Sequence, residues 1–201
     1  MAVQISIKAD FAPIVKKLDR LSDELQRKVV PAALNKVAAK AKTEMTRAIT
    51  GEYNIKSSEV RERLRTIRAG RKLEQWVAVL DPYAIRKRSR SLNMIRFVEN
   101  KVTMAEGRRR KKAGTQDQLR FQIKKVGGKK IITGAFIANK GRTVFIREGK
   151  DRLPIKALST IDIPQMFNAR RIRSRVEARI RRELPVEFDR AINAALNGVF
   201  R

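Results

Sequence analysis

The sequence contains neither cysteine nor histidine. Without cysteine there is no disulfide framework and no thiolate metal site. Without histidine the commonest general base and the commonest metal ligand are both gone. Zinc chemistry and every His-dependent triad are thereby disfavoured. Aromatics are scarce, with one Trp and two Tyr, so a repeated stacking platform for single-stranded nucleic acid is not available. No apolar run approaches the ~20 residues that span a bilayer. The start, MAVQISIKADF, lacks the basic opening and continuous apolar run of a signal peptide. A soluble intracellular product with no membrane partner is the expectation. The acidic residues are dispersed, and no two carboxylates have a spacing that suggests a metal site or an acid/base dyad; Asp151 and Asp162 sit among basic or apolar neighbours. No catalytic residue, metal or cofactor is expected, although carboxylates from distant segments could in principle converge in a metal-dependent nuclease. Gly127-Gly128 is not a phosphate-binding loop, because no Gly-Lys-Ser/Thr follows it. No zinc finger, RNA-recognition signature or basic zipper is present.

What the chain has in excess is positive charge. Lys and Arg number 48 against 20 Asp and Glu, a formal +28 over 201 residues. Such an excess opposes a lone compact monomer through self-repulsion, and nucleic acid, an acidic protein surface or an acidic membrane surface would each relieve it. A hydrophobic content of 42% is nonetheless enough for a packed core. The charge is uneven: residues 56–113 hold 18 basic and 6 acidic groups, a net +12, against a net +4 over residues 1–55. Its densest runs are RKRSR at 86–90 and RRRKK at 108–112. Arg86, Lys87, Arg88, Arg90, Arg108, Arg109, Arg110, Lys111 and Lys112 are the candidate phosphate contacts. The second run falls within 101–117, a segment of little apolar content that reads as a mobile loop.

Periodicity gives the architecture. Phe11, Ile14, Val15, Leu18, Leu21, Leu25 and Val29 recur every three or four residues, and Leu34, Val37, Ala38, Ala41, Met45 and Ala48 continue the period. Residues 11–50 are expected to be one helix kinked at Pro31 or two helices divided there. A short helix is expected over 57–69. Strands are expected at 3–7, 76–80, 92–98, 143–148 and 153–158, with Trp76 in the core. From Gln165 a second long helix carries Ala169, Ile172, Val176, Ile180, Leu184, Phe188, Ile192, Ala195 and Leu196 on its apolar side, a kink at Pro185 and a stop at Gly198. Its other sides are rich in arginine. The fold class is α+β: an antiparallel sheet packed against long N-terminal and C-terminal helices, with a basic mobile loop. One domain is expected over 1–201, with a helical part at 10–70, a β-rich core at 73–164 and the C-terminal helix at 165–198.

The strongest strand pattern is a hairpin about Gly127-Gly128. Counting outward pairs Leu119 with Phe136, Phe121 with Gly134 and Ile123 with Ile132 on an apolar face. Arg120, Gln122 and Lys124 then meet Ala135, Thr133 and Ile131 on the other. In that register Gly134 makes room for the Phe121 ring.

The region just beyond resembles the minor tail protein Z family of tailed phages and prophages. The resemblance rests on AFIA at 135–138, Gly141, VFIREGKDRLPI at 144–155, and Pro164 and Met166 at the last helix. Its motif positions are Phe136, Ile137, Gly141, Phe145, Arg147, Gly149, Arg152, Leu153, Pro154, Ile155, Pro164 and Met166. Where the family has a Gly-Pro-Ser type of turn, this chain has Ser159-Thr160-Ile161-Asp162. The resemblance implies a non-enzymatic virion protein, assembled in the bacterial host cytoplasm and acting late at the head-proximal end of the tail. It implies a homo-oligomeric ring, hexameric as rings there often are, beside partners such as the tail terminator and tail tube proteins. Double-stranded DNA or a DNA end would pass through the lumen, and basic loops would touch its phosphates without reading bases. The competing reading, from charge alone, is a non-enzymatic, sequence-independent nucleic-acid-binding protein that needs no ring.

Overall fold

The computed structural model describes residues 12–70, 79–81, 91–99 and 118–198, with single positions at 105, 106, 109 and 112. They fall into two compact units. The first takes the chain to Ile49, Ser57–Ile85 and the chain from Ile163; the second takes Thr50–Lys56 and Arg86–Asp162. The predicted α+β class holds, with long helices near both ends of the chain and small antiparallel sheets between.

The first unit is built on α1 (Ala12–Leu18), α2 (Asp23–Glu52), α3 (Ser57–Glu62), α4 (Ile163–Asn168) and α5 (Arg170–Leu196). The expected division at Pro31 is displaced. Pro31 is buried inside α2, and the chain breaks at 19–22 instead. The local chemistry explains the shift. Ser22 and the acidic pair Asp23-Glu24 form a helix start, while the Gln26 amide donates to the carbonyls of Leu18 and Leu21 at 3.0 and 3.1 Å and closes α1. Around Pro31, Val29, Val30 and Ala33 are buried against Leu184, Phe188, Ala191 and Ile192 of α5, with Ile14 and Leu21 in the same cluster. That packing outweighs the one backbone hydrogen bond that proline removes. Ala residues at 33, 38, 41 and 48 are buried, as their small size allows.

Two further expectations are corrected in this unit. Helix α3 ends at Glu62 instead of running to 69, and β1 (Arg65–Ile67) follows, antiparallel to β2 (Val79–Asp81). Val60 and Leu64 are buried and anchor the turn between them, and the β-branched Thr66 and Ile67 suit the strand. The C-terminal helix expected from Gln165 is interrupted at Ala169, and α5 then continues through Pro185 to Leu196. Pro164 stands in the first turn of α4, where proline is tolerated. Ile172, Val176, Leu184, Phe188, Ile192 and Ala195 of the expected apolar stripe are buried, Ala169 and Ile180 are half-buried, and Leu196 is exposed.

Among its described residues the second unit holds three small sheets in place of one: β3 (Leu92–Asn93) with β9 (Ser159–Thr160), β4 (Arg120–Phe121) with β5 (Lys130–Ile131), and the three-stranded β6 (Phe136–Ala138), β7 (Thr143–Arg147), β8 (Ile155–Ala157). The strand expected over 92–98 is a two-residue strand leading into a 3-10 turn at Met94–Phe97. Met94, Val98, Leu119, Phe121, Ile137 and Val144 form the core, flanked by Ile95, Ile123, Ile132, Ala135 and Leu158.

The hairpin register also changes. Phe121 lies opposite Lys130 and Arg120 opposite Ile131, not Gly134 and Ala135. The other edge of this strand is already engaged. Gln122 N–H donates to Phe97 C=O, and the amides of Asn54 and Lys125 exchange bonds with Ile123 and Glu52. Gly134 has φ +79 and no neighbour within 4 Å of a Cβ placed there. It sits in a turn closed by Ala135 N–H to Ile132 C=O, so its role is backbone conformation and not space for a ring. The displacement is even, so the side-chain alternation survives: Ile132 packs on the core and Ile131 is exposed. The strand expected at 3–7 lies outside the described residues, as do Trp76 and the first part of the strand expected at 76–80, whose end falls in β2.

Candidate functional site

The motif residues of β6–β8 form one construction. Phe136 and Phe145 are directly opposite, with ring centroids 6.1 Å apart. Arg147, two residues beyond Phe145, lays its guanidinium 5.2 Å from the centre of the Phe136 ring. The same Arg147 donates to the carbonyl of Arg152 at 2.6 Å and lies 3.4 Å from that of Asp151. One side chain therefore braces the β6–β7 face and closes the 148–154 turn. Ile137 alternates to the other face and is buried. The β6–β7 connection places Asn139, Lys140 and Gly141 at φ 54, 54 and 80, a left-handed run in which the glycine is the one residue without a steric penalty.

The remaining motif positions divide. Gly149, Arg152, Leu153, Pro154 and Ile155 make an exposed rim, with Leu153 67% and Ile155 37% accessible. Pro164 and Met166 are buried in α4 and belong to the first unit. Ser159-Thr160, where the resemblance implied a turn, is β9 and pairs with Leu92-Asn93.

A residue that sequence reading passed over holds these strands together. The Asn93 side-chain oxygen accepts from the amides of Ile95 and Val144, both at 3.0 Å. It caps the 3-10 turn and stands in for a strand against fully buried Val144. An Asn just before an apolar run is a capping signal, and it was there to be read.

The predicted phosphate contacts are only partly placed. Arg109 and Lys112 are exposed; Arg86, Lys87, Arg88, Arg90, Arg108, Arg110 and Lys111 lie outside the described residues. The arginines of α5 turn out to be occupied to a large extent. Arg175 pairs with Glu44 at 2.7 Å, Arg173 with Glu177 at 2.9 Å and Arg179 with Glu183 at 3.0 Å. Lys40 of α2 bridges Glu183 at 2.6 Å and Glu187 at 2.5 Å, and Arg190 also reaches Glu187. The Glu187 side chain is 2% exposed. The Lys40 hydrogen bond holds the Glu187 carboxyl below its ordinary range, against the opposing effect of burial and with help from Arg190. Glu183 is lowered in the same way, and Lys40 is raised by its two carboxylates. An acid on the apolar stripe, between Leu184 and Phe188, was the signal for a buried pair. Among the described residues no group of His, Cys, Asp or Glu could hold a metal ion, and no helix is long and apolar enough to cross a membrane.

The family model for prophage minor tail protein Z matches residues 11–201. The chain belongs to that family. No curated protein and no solved structure matches it significantly. Membership makes it a minor tail protein of a phage or prophage, and its motif residues are then read as parts of a structural subunit. Phe136, Phe145 and Arg147 set the sheet, Ile137 its core, and Gly141 its tight connection.

Proposed function

We propose that this minor tail protein completes the tail at its head-proximal end, as a non-enzymatic, six-fold ring around the DNA channel. The observation that carries the reading is the family match over nearly the whole chain. Two features of the molecule support a subunit of an assembly. The β8 strand ends its sheet with every side chain exposed, and Leu153 and Ile155 add apolar surface there; a neighbouring copy or a tail protein would cover them. The net charge of +28 is relieved if DNA runs through the ring. In that ring the tail terminator and tail tube proteins are neighbours, and the basic segments at 86–90 and 108–112 contact phosphates. The protein then stays in the virion.

The test is a prophage lysate lacking this gene, viewed by negative stain. Filled heads and unjoined tails are expected, and complementation restores virions. Normal joined particles in the deletion lysate overturn the reading. Purified protein gives annular particles if the ring is right, and dispersed monomers if charge alone explains the chain.

A further inference from the structure

We propose that a groove on the first unit, between α2 and the α3–β1 segment, is a binding site for the phosphodiester backbone of duplex DNA. It rests on the tail reading only for the source of the DNA. The groove has a volume of about 430 Å³ and is lined by cationic Lys36, Lys42, Arg61 and Arg68 together with Thr and Asn side chains. Among the described residues no carboxylate lines it. Among the described residues none of these four cations takes part in an ion pair.

On the α5 side of α2, by contrast, Lys40, Arg175, Arg179 and Arg190 each meet a glutamate. Four cations gathered without a counter-charge repel one another, and an anion with regularly spaced charges removes the repulsion. Lys36 and Lys42 stand six residues apart on one helix, about 9 Å along its axis, so they can follow a strand over successive phosphates. The walls are held in place. The Asn35 side chain makes a two-way bond with the backbone of Ala69, 2.8 Å from its amide and 3.1 Å to its carbonyl, which fixes Arg68 beside α2.

The lining also selects the class of ligand. Apart from Ala39 its described lining offers no apolar side chain that would anchor a protein partner. Asn35, whose amide could read a base edge, is spent on Ala69, and Thr43 and Thr46 donate to Ala39 and Lys42 carbonyls. Binding is therefore to phosphate and independent of sequence.

The experiment uses the full chain. Affinity for a short duplex is measured across salt for wild type, for a variant with Lys36→Gln, Lys42→Gln, Arg61→Gln and Arg68→Gln together, and for a control that removes Arg170, Arg171, Arg181 and Lys140. Each phosphate contact contributes about −0.9 to the slope of log K on log[salt]. The groove variant is expected to flatten the slope by about 3.6, so that a fourfold rise in salt weakens it about 10²-fold less than wild type. The control should change the slope far less. An equal change in both variants, or an unchanged slope in the groove variant, overturns the proposal. If the fourfold variant does not fold, Lys36→Gln and Arg68→Gln are each expected to flatten the slope by about 0.9, and no change in either overturns it. Failure here leaves the lysate result untouched, so the two readings are separable.

Discussion

Two faces of α2 handle the same charge in opposite ways. Toward α5, Lys40 is locked between Glu183 and Glu187, and Glu44 holds Arg175. Toward α3 and β1, Lys36, Lys42, Arg61 and Arg68 line a groove with no acid among its described residues. Both faces are basic in sequence and cannot be told apart by counting residues. The difference teaches that a high net charge is not one property. Cations that close a helix–helix seam are part of the fold, and cations without partners are available to bind.

The sharpest way to break that contrast is Glu187→Ala. It removes the acceptor shared by Lys40 and Arg190 from a nearly buried position, leaving cations against an apolar seam. The largest fall in melting temperature among these variants is expected, with the DNA salt slope unchanged; a stable variant would mean the seam pair is not structural. The effect should depend on pH. Because the folded pKa of Glu187 is lowered, its stabilisation is fully present above the ordinary glutamate value of about 4.3 and fades as pH falls towards the lower folded value. The melting difference between wild type and Glu187→Ala should therefore close in acid. At the other end, Lys40 is raised, so its share is present below the ordinary lysine value of about 10.4 and is lost as pH rises through the folded value.

A smaller effect is expected from Asn35→Ala, which frees the amide and carbonyl of Ala69. About 1–3 kcal/mol of stability should go, as for a half-buried group left unsatisfied, with a flatter salt slope as well. That double effect sharpens the comparison, since only the groove wall couples fold and binding. Denaturant titration and the duplex assay read both. The least effect on stability is expected from Lys36→Gln: within about 0.5 kcal/mol, as for an exposed substitution away from any structural feature. A marked loss by thermal melting would put Lys36 among the structural cations instead.

The family motif shows where sequence reading succeeds. Phe136, Ile137, Phe145 and Arg147 lie within twelve residues, and strand alternation alone places them on their faces. The hairpin before it shows the limit. Alternation correctly put Phe121 and Ile132 inside, but the turn was miscounted, because the partners of 120–125 include residues near 53 and 98. Pro31 misled for a similar reason. Its local penalty was real, and buried contacts with α5, some 150 residues away, outweighed it.

By itself the sequence determined the class of fold, the helical faces, the parity of the strands and the family. These follow from periodicity and from a compact run of motif residues, which act locally. Tertiary structure decided which cations are neutralised, where α1 and α2 divide, and which strands share an edge. Each of those depends on partners far apart in the chain, Lys40 with Glu187 and Asn35 with Ala69 among them. A residue's charge is written in the sequence, but whether that charge is spent depends on what folding brings beside it.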